Sequence, residues 1–124
     1  MKTVSFDSGG GPLTAKAVFL GRMVAKYSIF LRQKDSNAQT TLLPGDNTNP
    51  EDDSTPLPTP ASANDGRRVV LETGFYGLDH EQYPFYEIRL EIYQDGELIG
   101  FSGNSGQLDG KGQYSLIFIR LRAE

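Results

Sequence analysis

The chain's one histidine, His80, lies in the run Gly77-Leu78-Asp79-His80-Glu81-Gln82-Tyr83-Pro84 and is the side chain around which acid–base chemistry near neutral pH could be built. Cysteine is absent, so thiol catalysis is excluded and a hydrolytic triad would have to use His80 as its base. Asp79 and Glu81 cannot orient it alone, because neighbours along an extended chain point to opposite sides. Ser102 and Ser105 stand in Gly-rich sequence without the flanking pattern of a nucleophile elbow. Glu87 and Glu91 are a second pair of acids, but their spacing puts both on one face of one strand with Arg89 between them. That is a charge ladder on an exposed sheet face, whereas glycoside hydrolysis needs two carboxylates facing each other across a cleft. The residues therefore point to a non-enzymatic protein.

Binding chemistry is better represented. Phe75, Tyr76, Tyr83, Phe85 and Tyr86 crowd around the Asp79-His80-Glu81 segment. Aromatic faces beside carboxylates can stack on a sugar or bury into a protein surface, which makes Tyr76, Asp79, His80, Tyr83 and Tyr86 the candidate ligand-binding residues. Asp46-Asn47-Thr48-Asn49-Pro50-Glu51-Asp52-Asp53 is dense in oxygen ligands, of which Ca²⁺ takes about six to eight. It lacks the alternating acids, mid-loop Gly and final Glu of an EF-hand, so a solvated acidic loop is expected there, with a Ca²⁺ site as the alternative. Ser8-Gly9-Gly10-Gly11-Pro12 lacks the Gly-Lys-Ser/Thr ending of a phosphate loop and reads as a connection between strands. The stretches 92–95 and 103–106 are similar in their Asp, Asn and Gly placement to the C-terminal part of small bacterial calcium-dependent galactose lectins, in which such residues hold Ca²⁺ and sugar. Asp95 is better explained as a turn residue.

The elements that must position these groups read as strands. Asp95-Gly96 is a type I′ turn dipeptide, since both central positions need positive φ. Pairing Gln94 with Glu97 puts Tyr93 opposite Leu98, Ile92 opposite Ile99, Glu91 opposite Gly100 and Leu90 opposite Phe101. Ile88, Leu90, Ile92, Ile99 and Phe101 then share a buried face, and Glu87, Arg89, Glu91 and Ser102 the other. Residues 2–7 alternate around Val4 and Phe6. From 13 to 33 an apolar stretch carries Val18 and Leu20 before Gly21-Arg22 and Met23, Ala25, Tyr27, Ile29 and Leu31 after it. This is either two strands with a tight turn or one strand bent by a bulge. Arg67 to Phe75 resumes the alternation with Val69, Leu71, Thr73 and Phe75 on one face, and Gly74 is a candidate bulge. Residues 102–106 and 109–112 read as loops. The last strand, 114–121, is apolar on both faces, which predicts a central position covered above and below.

Between them, 34–66 holds five of the seven prolines and six carboxylates against Lys34, a local balance of −5 in a chain of net charge −4. It reads as one long acidic Pro-rich loop, with Leu42, Leu43 and Leu57 available to anchor it. Pro56-Leu57-Pro58-Thr59-Pro60 favours polyproline II and reads as a stiff linker. The remainder of the chain, near neutral, carries no clustered Lys and Arg, so neither nucleic acid nor an anionic membrane is an expected partner. Residues 1–11 have no uninterrupted apolar run, and no signal peptide or membrane insertion is expected. The compartment stays open.

The expectation is a single all-β domain over 1–124, an antiparallel β-sandwich of about seven strands with a small β-barrel as the alternative. Its expected role is a binding module for a protein partner or for its own copy as a homo-oligomer. Carbohydrate binding, with or without Ca²⁺, is the alternative.

Overall fold

The computed structural model describes residues 1–47 and 53–124. Among these, nine strands form two stacked sheets: β1 (Lys2–Phe6), β2 (Leu13–Leu20), β3 (Met23–Arg32), β4 (Gln39–Asn47), β5 (Asp53–Pro56), β6 (Arg68–Gly77), β7 (Phe85–Gln94), β8 (Glu97–Gln107) and β9 (Gly112–Ala123). One sheet runs β1-β9-β6-β3-β4 and the other β5-β2-β7-β8. The molecule is a β-sandwich and not a closed barrel. Among the described strands, β1 against β9 is the one parallel pair.

Period-two alternation explains most of this. Leu13, Ala15, Ala17 and Phe19 of β2 point inward, with Ile88, Leu90 and Ile92 of β7 beside them in the same sheet. Tyr27, Ile29 and Leu31 of β3, Val69, Leu71 and Phe75 of β6, and Ile117, Ile119 and Leu121 of β9 supply the opposite layer. Val18 and Leu20 take the outer positions of β2, and Leu20 is exposed. Gly21 has φ 125°, and a Cβ there would stand 2.8 Å from the Phe85 carbonyl oxygen. The Gly21-Arg22 step is therefore neither a hairpin nor a bulge but a corner at which the chain leaves one sheet for the other.

Residues 34–66 are not one loop. They contain β4 and β5, an edge strand of each sheet, and one 3₁₀ turn, Ala61–Asn64. Edge strands tolerate proline because one side of their ladder is unpaired, and Pro44 lies opposite Ser28 and Pro56 opposite Thr14. Leu42 and Leu43 pack against the core and Leu57 is buried, as their anchoring role requires. The buried Leu57 also gives its N–H to the Leu13 carbonyl, so the Pro-rich tract is docked on the body. Most of the acidic run from 46 to 53 lies outside the described residues.

The central hairpin turns at Asp95 (φ 53°) and Gly96 (φ 80°), and Gln94↔Glu97 and Tyr93↔Leu98 pair as expected. Beyond them a bulge at Ile99 shifts the register, giving Ile92↔Gly100, Glu91↔Phe101 and Leu90↔Ser102. Phe101 is thereby moved to the outer face, 44% exposed, where the Arg89 guanidinium lies 3.8 Å from its ring centroid. Ile99 is partly buried against the core. The strand does not stop at Ser102 but continues to Gln107, and its inward positions are small because neighbours need the space. A Cβ on Gly100 would stand 2.6 Å from Val4 Cγ2, and one on Gly106 3.2 Å from the Tyr86 ring.

Gly74 is no bulge; it pairs in continuous register with Lys26 and Tyr114. β9 is flanked on both sides as predicted, but its outer face is uncovered, with Leu116 39% exposed and Phe118 shielded by Arg32 at 5.3 Å.

Candidate functional site

Three chain crossings between the sheets gather at one end of the sandwich: the β2–β3 corner, residues 78–84 between β6 and β7, and residues 108–111 between β8 and β9. The 78–84 segment is held by local bonds. Asp79 Oδ1 accepts the Gln82 N–H at 3.3 Å, the Asp79 carbonyl accepts the Tyr83 N–H at 2.8 Å, and the Arg22 carbonyl accepts the Leu78 N–H at 3.0 Å. The resulting turn presents Tyr83, 42% exposed, under the Arg22 guanidinium at 4.3 Å from its ring centroid. Pro84 follows, and Phe85 opens β7 on the outer face with 68% of its surface exposed. Leu20 lies diagonally across from Phe85 on the same face, since Leu20 pairs with Glu87. Gly21, Arg22, Gln82, Tyr83, Pro84 and Phe85 line one open cleft of about 480 Å³.

The sequence-predicted residues are divided by the fold. Tyr83 belongs to the cleft. Asp79 builds the turn that carries it. His80 is half-buried on the other side of the segment, where a Cβ on Gly110 would stand 2.7 Å from His80 Cε1. Tyr86 points inward, its ring 4.7 Å from that of buried Phe75, so it fills the rim of the core. Tyr76 is half exposed on the outer face of the other sheet, opposite Val24. The cleft instead recruits Arg22 and Phe85. Arg22 could not be seen as a neighbour without knowing that the Gly21 corner returns beside residue 83. Phe85 was visible in the aromatic concentration, but its outward direction depends on the register of β7.

Asp79 Oδ1 accepts the Gln82 backbone N–H and makes no hydrogen bond to His80 among the described residues. Among the described residues, no three His, Asp or Glu side chains converge as a metal would need. The lectin-like stretches also have other work, because Asp95 Oδ2 accepts the Gly11 N–H at 3.2 Å and Asn104 Nδ2 donates to Ser115 Oγ at 2.8 Å. The Glu87/Glu91 ladder is partly closed over. Glu91 is 7% exposed, pairs with Arg89 at 3.1 Å and accepts the Tyr93 hydroxyl at 2.7 Å.

No protein-family model matches the chain, and no curated protein or solved structure is significantly similar to it. Two exposed aromatic rings, an arginine stacked on one of them and a flanking leucine make a surface that gains by burial. No helix among the described residues is long and apolar enough to cross a membrane.

Proposed function

We propose that the protein is a non-enzymatic binding module whose Tyr83–Phe85 end docks on another protein or on a second copy of itself. The observation that carries this is the exposure of Phe85 and Tyr83 together, next to Arg22 and Leu20, at a place where the fold does not need them outside. Tyr and Arg are the residue types that dominate interface energetics, and an exposed ring flanked by apolar surface is where burial by a partner is most favourable. A stacked arginine also keeps part of its charge desolvated in advance, so less ordering remains to be done on docking.

Carbohydrate binding draws less support from this geometry. A sugar platform needs aromatic faces in common, and Tyr76, Tyr83 and Tyr86 point to three different places. A glycan array with and without chelator separates the two readings.

The docking reading is tested by light scattering across protein concentration and by retention of partners from native lysate, for the wild type and for Phe85→Ser. The expected result is association or retention that Phe85→Ser weakens by at least about tenfold, as loss of an interface anchor does. A strict monomer that retains nothing overturns it.

A further inference from the structure

At the opposite end of the sandwich, about 30 Å away along the ten residues of β6, three arginines stand side by side. Arg32 pairs with Arg68 and Arg68 with Arg120, one row across β3, β6 and β9 on the outer face. Like charges directly opposite one another on a sheet repel, and here two such pairs share their middle member. Arg32 is committed elsewhere: it lies over Phe118 and gives its Nε–H to Gln39 Oε1 at 3.0 Å. Arg68 is fixed in direction by the Ser36 carbonyl, which accepts from its Nη2 at 2.6 Å, and by the Gln33 carbonyl at 3.4 Å. Arg120 is exposed and makes no hydrogen bond or ion pair with another described residue. Arg68, Arg120 and Lys34 together line a cavity of about 460 Å³, with Ser36 on its wall and Asp35 the one carboxylate among the described residues.

We infer that this cavity is a binding site for a phosphoryl dianion, held by the guanidinium groups of Arg68 and Arg120 and the ammonium of Lys34. Three cations against one carboxylate leave a surplus of two positive charges, which matches the charge of a phosphate monoester near neutral pH. Arginine forks fit phosphate oxygens in bidentate fashion, and Arg68, already oriented by backbone carbonyls, loses little freedom on binding. The repulsion within the row is what such a ligand relieves. In a chain of net charge −4, this is a local concentration of positive charge that whole-chain electrostatics does not supply. The site is independent of the docking surface proposed above, and Phe85→Ser leaves it intact.

Thermal melts and isothermal titrations with inorganic phosphate, O-phosphoserine and glycerol phosphate test it, each against sodium chloride at matched ionic strength. Chloride is required because any salt screens a row of like charges. The expected result is a rise in Tm beyond the chloride control with at least one of the three. The tightest of them tells whether free phosphate, a phosphorylated side chain or a headgroup-like ester is the better ligand. Arg120→Gln is expected to weaken that binding about tenfold or more while its own ligand-free Tm stays equal to the wild type's or rises, since the variant removes repulsion. Arg122→Gln, two residues along the same exposed face, is expected to bind as the wild type does. Equal responses to phosphate probes and chloride, or an Arg120→Gln protein that binds like the wild type, overturn the assignment.

Discussion

Gln94 is expected to be a costly polar side chain to remove. It is the last residue of β7, 7% exposed, and its amide meets the backbone of the β1–β2 connection three times. Oε1 accepts the Asp7 N–H at 2.9 Å, and Nε2 donates to the Asp7 carbonyl at 2.8 Å and to the Gly11 carbonyl at 3.0 Å. The connection lies so close over the amide that a Cβ on Gly10 would stand 2.7 Å from Nε2. Gln94→Ala removes all three bonds and leaves two acceptors and a donor half-buried. At about 1 kcal/mol for each bond lost, with partial access of water to the freed groups, the cost is about 2–3 kcal/mol. For a chain of 124 residues this corresponds to a fall in Tm of about 10 °C. Urea unfolding followed by circular dichroism should give the loss in the midpoint at unchanged slope. Gln94→Glu keeps the acceptor but faces two carbonyls with a carboxylate, and should cost at least as much. A Gln94→Ala protein within about 0.5 kcal/mol of the wild type would show that the three bonds do not hold the connection, because that is the range of a surface substitution without buried partners.

Two further outcomes follow from the same geometry. Gly100→Ala should lose about 1–3 kcal/mol through collision with buried Val4, and Val4→Ala in the same chain should recover part of that loss in a double-mutant cycle; additive losses would show that the two do not meet. Tyr114 should ionise above the ordinary tyrosine range, through partial desolvation first and then the Glu72 carboxylate, which accepts its hydroxyl and repels the phenolate. The folded protein therefore holds that proton more tightly than the unfolded chain does, and the associated stability is complete below about pH 10 and lost as the pH rises through the folded value. Ultraviolet titration should find one late tyrosine that Glu72→Gln moves earlier, and an unmoved midpoint contradicts the assignment to Glu72.

Much of the sandwich was legible in the chain because alternation is a strong signal where one face is buried. β1, β3, β6, β7 and β9 all announce themselves this way, and Asp95-Gly96 pins the turn. What escaped did so for physical reasons. β4 and β5 hide in Pro-rich acidic sequence, since an edge strand can satisfy its ladder on one side while carrying residues that no inner strand could hold. The first half of β8 was legible as the return strand of the hairpin, but its second half, 102–107, reads as loop because its inward positions are Ser, Asn and Gly, with the Tyr86 ring close under Gly106. The bulge at Ile99 has no sequence signature, yet it decides that Phe101 faces water. At the docking end, Tyr83 and the turn built by Asp79 were readable, whereas Arg22 is brought in by a sheet crossing and Tyr86 is taken away by the alternation of β7. The arginine row is further out of reach, because it needs the registers of three strands that are distant in the chain.

Amide hydrogen exchange under associating conditions, at high protein concentration or with a retained partner added, addresses the docking surface most directly. New protection is expected over residues 20–22 and 78–85, absent in Phe85→Ser, with exchange around Arg68 and Arg120 unchanged. Protection confined to other surfaces, or no change in exchange at any concentration with any retained protein, contradicts docking at that end.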